Sequence, residues 1–459
     1  MRPFLLALLL SLTLTPLSRA DDWPQWLGPK RDGIWRETPL LDHFPKDGLP
    51  ILWRAPVAGG YSGPAVANGR VYVTDYIPSP QTNRPKNPFQ RITQPGQERV
   101  HCLDQATGKE LWTDAYDVAY SMSYSAGPRA TPAVDGDRVY TLGGEGDFRC
   151  LDASSGKLLW SKRFSDEEHK TPMWGFASHP LVEGDAVICL TGGSDPEHGR
   201  GVVTAFNKLT GNLIWSALSA REPGYSPPMM IESAGVRQLI VWDPNALTSL
   251  NSATGAVYWS IPFGPAKMSL TILTPRFYHD DQLGSLIFVA SQYEGSLVVK
   301  LDDRKPGASV LWKRQGKSDR KSDALHSLLS PPVLRDGHIY GIDAYGQLRC
   351  LDLKTGDRLW STFEATTYDA GEQKWASAFI IPLGETGDRY LIANEHGDLI
   401  LARMDPAGYH EVSRTHLLDP TNTDPNRPVL WCCPALANHC IFWRNDKELV
   451  CASMNPPKR

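Results

Sequence analysis

Apolar and polar positions alternate along this chain in short stretches, and the stretches repeat. One phrase returns six times: HCLDQATGKELW ending at Trp112, RCLDASSGKLLW at Trp160, TAFNKLTGNLIW at Trp215, TSLNSATGAVYW at Trp259, VKLDDRKPGASVLW at Trp312 and RCLDLKTGDRLW at Trp360. Each copy predicts a strand of alternating faces, a polar turn, and a second strand that closes on tryptophan. A second pattern lies upstream, an apolar run, a turn and another apolar run: SGPAVANGRVYVTD from Ser62, ATPAVDGDRVYTLG from Ala130, SHPLVEGDAVICLT from Ser178, SPPVLRDGHIYGID from Ser330 and CCPALANHCIFWRN from Cys432. Together the two patterns make four strands. The closing tryptophans stand 48, 55, 44, 53 and 48 residues apart, the range of one propeller blade per repeat and too short for separate domains. A degenerate copy runs through Phe379–Ile381, Tyr390–Ile392 and Leu399–Leu401 without a terminal tryptophan.

The count is eight. The last copy supplies three strands ending near Cys451, and the first tryptophan strand, Ile51-Leu52-Trp53, has no strands ahead of it. Pairing the two leaves no open sheet edge, so the final blade is assigned to residues 430–453 plus 51–53. The prediction is all-β: an eight-bladed β-propeller of four-stranded antiparallel blades, closed by an N-terminal strand, over residues 49–459, with residues 21–48 a leader outside the blades.

The turn chemistry has a physical reading. Asp104, Asp152, Asn207, Asn251, Asp302 and Asp352 begin the turns, where a short polar side chain caps backbone N–H groups, and Gly108, Gly156, Gly211, Gly255 and Gly356 follow four places on, supplying the positive φ of a tight turn. In the fifth copy Gly307 comes one place late. Trp53, Trp112, Trp160, Trp215, Trp259, Trp312 and Trp360 are read as packing between blades, each contributing roughly 4–6 kcal/mol gross on full burial.

The N-terminus changes the picture of where the chain works. Arg2, the apolar stretch from Phe4 to Leu14 and Ser18-Arg19-Ala20 have the order of a secretory signal, too short to span a bilayer, so cleavage near Ala20 and a periplasmic or secreted location are expected. Asp21 would follow the cut, and without a cysteine there no lipid anchor is expected; no later segment approaches a membrane span. The net charge of −4 becomes −6 when Arg2 and Arg19 leave, which gives no support to a general nucleic-acid role, and no nucleic-acid partner is expected. No G-x-S-x-G, H-E-x-x-H or C-x-x-C pattern occurs and the twelve histidines stand singly, so neither a catalytic nor a metal residue is assigned.

Eight cysteines in 459 residues are too sparse for a disulfide scaffold. Cys102, Cys150, Cys350 and Cys451 fall at one third-strand position, where other copies carry Ala205, Ser249, Val299 and Ala402, and read as small core residues. A turn at Asn445-Asp446 pairing Arg444 with Lys447 would set Cys440 opposite Cys451, a candidate disulfide beside the alternative of two free thiols. For Cys432-Cys433, a regular strand points the two side chains to opposite faces.

The repeat phrase, with the leader DWPQWLGPKRDGIW over residues 22–35, resembles the pyrroloquinoline-quinone (PQQ)-type propeller repeat, in its BamB-like and quinoprotein-like forms. The resemblance implies the fold more than a reaction. Three functions stay open: a non-catalytic scaffold that binds a protein partner or polar ligand at its central funnel, with no cofactor; a PQQ- and Ca²⁺-dependent dehydrogenase; and a sugar-binding propeller. Against the dehydrogenase, only Trp242-Asp243-Pro244-Asn245 approaches that branch's Gly-Asn-Pro-x-Pro-Trp-like segment, and no trio of Ca²⁺ ligands can be placed.

In a propeller the starts of the innermost strands converge on the central channel. Aligned copies place Tyr61, Arg129, Trp174, His179, Tyr225, His326, Trp375 and Trp431 there, with Asp75, Glu145, Asp243, Glu294, Asp343, Glu395 and Asp446 expected on the same rim. Arg129 and Trp375 stand out, because other copies carry small or apolar residues at those positions, such as Ala177 and Leu328. Aromatic platforms beside charges suit a polar organic ligand, a sugar or a peptide loop. Two further segments are candidate contacts: the proline-rich residues 75–99, read as an insertion replacing a short turn, and the basic residues 313–323.

Overall fold

The computed structural model describes residues 21–456 apart from 81, 84, 166–169, 265–267 and 425–426. The expected signal segment lies outside the described residues. Among those described, eight four-stranded antiparallel sheets are arranged in sequence order, with one additional two-stranded hairpin. Blade 1 spans residues 65–120, blade 2 133–163, blade 3 181–217, blade 4 229–262, blade 5 276–314, blade 6 333–362 and blade 7 378–416. Blade 8 joins strands Ala435–Ala437, Cys440–Arg444 and Glu448–Ser453 to strand Ile51–Pro56, with Trp53 opposite Cys451. The ring closes as the sequence predicts. No helix among the described residues is long and apolar enough to cross a membrane.

The repeat phrase does three things at each blade junction. Asp152 Oδ1 accepts the N–H groups of Ser154 and Ser155 at 3.1 and 2.8 Å, capping the turn. Gly156 sits at φ 73°, and a Cβ there would lie 2.5 Å from the Trp112 ring of the preceding blade. Trp112 Nε1 donates to the Ala153 carbonyl at 3.1 Å. The same bond, from one blade's tryptophan to the residue after the next blade's Asp or Asn, recurs from Trp53 to Gln105, Trp160 to Lys208, Trp215 to Ser252 and Trp312 to Leu353. Two tryptophans depart from this: Trp360 donates to the Asp405 carbonyl itself at 2.8 Å, and Trp259 donates to Gln238 of its own blade, where the next turn, from Asp302 to Trp312, is two residues longer. That longer turn also puts Val298, not Val299, opposite Trp312.

Every blade carries a β-bulge in its outermost strand. In seven of the eight it falls at the residue before the closing tryptophan, and this leaves Leu52, Leu111, Leu159, Ile214 and Leu359 exposed while the tryptophan turns toward its neighbour.

Two expectations need correction. Arg444 pairs with Leu449, so Cys440 faces Ser453 and Cys451 faces Phe442. Asn445 Oδ1 accepts from the N–H groups of both Lys447 and Glu448, which makes the turn four residues long and shifts the register by two. Cys440 and Cys451 are diagonal neighbours whose thiols interact, and both are free. Residues 75–99 are mostly not a loop: strands Arg70–Pro78 and Gln94–Asp104 pair as far as Pro78 with Gly96, and only 79–93 projects. The leader lies outside the sheets and is packed deep inside the molecule. Trp23, Trp26, Leu27, Trp35, Leu40 and Leu41 are buried.

The leader crosses the channel on the inner edges of the blades. Trp23 exchanges two 2.8 Å backbone bonds with Val66 of blade 1, and Val134 N–H of blade 2 donates to Pro24 at 2.8 Å. Arg31 donates to the Pro180 carbonyl at blade 3, Arg276 of blade 5 to the Asp32 carbonyl, Trp35 N–H to Pro382 of blade 7, and Leu41 N–H to Met454 of blade 8. These groups would otherwise be exposed strand edges lining a pore.

Candidate functional site

The segments leading into the innermost strands surround a cup of about 340 Å³ on the channel axis. The leader supplies its floor: the Trp26 ring stacks on His179 at 4.0 Å and an interplanar angle of 5°, while its Nε1 donates to Thr274 Oγ1 at 2.8 Å. Tyr61, Arg129, Trp174, His179, Tyr225, Trp375 and Trp431 all line the cup, as the alignment places them. Their rings form one wall, with Tyr61 6.4 Å from Trp431 and Trp174 edge-on to Tyr225 at 5.6 Å.

His326 is the one aligned residue outside the cup. It is fully buried, its Nδ1 2.7 Å from the Gln292 carbonyl and its Nε2 2.9 Å from Ser322 Oγ, where it ties the segment between blades 5 and 6 to the turn between strands Gly284–Ser291 and Gly295–Leu301. The acidic residues expected on the rim do not line the cup either, because neighbouring groups use them. Asp75 holds Arg99 at 2.6 Å and the Ala58 N–H, Asp343 holds Arg349 at 2.6 Å, Glu395 holds Arg427 and the Trp431 indole at 2.9 Å, Asp446 accepts from Gly60 N–H, Asp243 caps Asn245 and Ala246, and Glu145 accepts from Ser121 N–H and Thr171. Glu294 sits in the turn between strands Gly284–Ser291 and Gly295–Leu301. The cup is therefore largely aromatic and aliphatic, and among the described residues no carboxylate lines it.

Two polar groups face this apolar lining. Arg129 Nη1 donates to Gly127 O at 2.8 Å and Nη2 to Ser123 O and Tyr124 O at 2.7 Å, and the guanidinium lies 5.1 Å over the Tyr61 ring. Burial pulls its pKa down, against the opposing pull of Tyr61 and Tyr120, yet a guanidinium remains charged. His179 Nδ1 accepts Thr131 N–H at 2.7 Å, which leaves the proton on Nε2; burial holds this histidine well below the ordinary range, hence neutral.

Sequence alignment misses the residues that complete the enclosure. Phe89, at the tip of the projecting segment 79–93, reaches over the mouth to within 5.4 Å of Trp375 and 5.1 Å of Tyr124. Its neighbour Arg91 holds the segment down through the carbonyls of Ser121 and Thr171. Tyr124, Met268, Tyr293 and the exposed Lys374 add to the lining. The available signals were a large apolar residue within a proline-rich insertion and an aromatic-rich leader. In the other candidate segment, Arg320 pairs with Glu372 and Asp319 accepts from Gln292 and Tyr345, so residues 313–323 buttress the rim beside Trp375.

The profile of the family described as outer membrane protein assembly factor BamB matches residues 96–362, more than half of the chain. The chain belongs to this PQQ-type propeller family. BamB of Yersinia pestis is 25% identical over 235 residues, 49% of this chain, and the chain spans about half the length, 52%, of that relative. Among solved structures, BamB from Moraxella catarrhalis superposes with a TM-score of 0.50 at 14% identity, covering 84% of this chain and 99% of that one. Quinohemoprotein alcohol dehydrogenase from Comamonas testosteroni gives 0.60 at 13% identity, covering 95% and 81%. At these identities the structural likeness shows the fold alone.

Proposed function

We propose that this chain is an exported, non-catalytic binding propeller that holds a protein partner on the face where the aromatic cup opens. The observation that carries this reading is the asymmetry of the channel: the leader closes one end, and the other is an aromatic cup overhung by the projecting segment 79–93. Concave apolar surface beneath projecting loops is the usual setting for partner anchors, and the family's role in outer membrane protein assembly supports a protein as the partner.

The dehydrogenase alternative asks for a Ca²⁺ ion held by several oxygen ligands beside the quinone. Among the described residues the cup lining has no carboxylate, and no group of three or more His, Cys, Asp or Glu side chains converges. The residues present do not fit that group, and no redox step is derived.

The test is site-specific photo-crosslinking in the native host. A crosslinking residue in place of the exposed Asn87 is expected to trap a defined protein species. The same residue in place of Leu209 on the outer perimeter should not. Equal yields from both positions, or none from position 87, overturn the reading.

A further inference from the structure

We propose that the interior of the cup, separately from any partner on its rim, is a binding site for a small organic anion with one acidic group on an apolar ring or chain. The body of such a ligand is called for by the lining. Trp174, Tyr225, Trp375 and Trp431 form the wall, Trp26 the floor and Phe89 the overhang, in a volume suited to a small molecule. A general hydrophobic core would not leave this space unfilled, since interiors pack to the density of organic crystals.

The acidic group is called for by charge. Arg129 lines the cup and has no carboxylate partner among the described residues; its four Nη hydrogens are taken by three backbone carbonyls and the Met122 sulfur, and its Nε–H has no partner. The carbonyls fix the guanidinium in place without neutralising it. His179 adds a second donor, because its Nδ1 accepts from Thr131 and its Nε2–H has no partner among the described residues. A half-buried cation in a low-dielectric, aromatic enclosure favours an anion by charge-assisted hydrogen bonding. One fixed cation matches one acid, not a polyanion. Among the described residues no carboxylate in the lining opposes it by repulsion.

The probes are a pair: 1-anilinonaphthalene-8-sulfonate, which joins an aromatic body to one acid, and N-phenyl-1-naphthylamine, nearly the same body without charge. The protein used is the full exported chain. The sulfonate is expected to bind at least tenfold more tightly than the neutral probe, with quenching of tryptophan fluorescence. Arg129→Gln should weaken the sulfonate at least tenfold and the neutral probe less than twofold. Trp375→Ala should weaken both. Lys109→Gln, which removes an exposed cation in an outer turn of blade 1, away from the cup, should leave the ratio within twofold. Arg129→Lys, which keeps the charge, should retain the preference and serves as the reading should the glutamine variant not fold. Equal affinities for the two probes, no binding of either, or a preference that follows Lys109 instead of Arg129 overturns the proposal. Crosslinking from position 87 is unaffected by any of these outcomes, so the partner reading stands or falls separately.

Discussion

At Gly156 two demands meet, a positive φ and a tryptophan ring against the Cα. Gly156→Ala is expected to destabilise the protein by roughly 2–4 kcal/mol, from left-handed strain plus overpacking, measured by urea unfolding. Gly69 is the control: its φ is 73° but nothing lies within 4 Å of a Cβ built there, so Gly69→Ala should cost only about 1 kcal/mol. His179 makes a prediction of the opposite kind, about pH. Burial lowers its pKa in the folded state, so below about 6.5 the unfolded chain binds the extra proton and stability falls with falling pH; buried His326 shifts the same way. The slope approaches about 1.4 kcal/mol per pH unit for each group. Unfolding at pH 7.5 and 5.5 should show His179→Asn losing part of that difference, and an unchanged slope would refute the assignment. The turn residues were legible in the sequence because a capping Asp and a positive-φ Gly act locally. The roles of Arg129 and His179 were not, since both depend on carbonyls and rings brought in from other segments.

Strands were readable from alternation, and the blade count followed. What alternation cannot carry is register across an unusual turn. A two-residue turn at Asn445-Asp446 was the simplest reading, but the Asn445 side chain caps two N–H groups and lengthens it, which moved Cys440 away from Cys451. The bulges had a visible trace: Leu-Trp, Ile-Trp and Tyr-Trp pairs place two apolar residues side by side where strict alternation allows one. The segment over the cup had none, because residues 79–93 have no periodicity. Replacing residues 80–92 with a short Gly-Ser link should leave the blade 1 hairpin intact, since its pairing continues to Pro78 and Gly96 and Glu98 still accepts from Tyr116, Tyr120 and the Gly144 N–H. The transition midpoint should stay within about 3 °C, while acrylamide quenching of cup tryptophans rises. A cooperative loss of structure would mean that the segment holds the fold and does not merely cover the cup.

The ring and its closure were legible because a blade missing one strand and a strand missing its blade identify each other. The leader's place was not, because its partners, from Val66 to Met454, are scattered over six blades. A chain beginning at residue 49 should keep the β-sheet circular dichroism yet melt roughly 5–10 °C lower, and Trp26→Ala should reproduce part of the loss. No change in midpoint would make the leader an ornament. Its position also imposes an order of events in time. During synthesis residues 21–56 emerge before the blades they contact, but Trp35, Leu41 and Trp53 find their partners only when Pro382, Met454 and Cys451 have followed, some four hundred residues later in the last cases. Domains that fold as they emerge can bank each unit in turn. This one cannot complete the pairing of residues 51–56 until its last blade is made, so an apolar segment rich in tryptophan stays unsatisfied while the blades are synthesised, and any helper that shields nascent chains would find a target in residues 21–56.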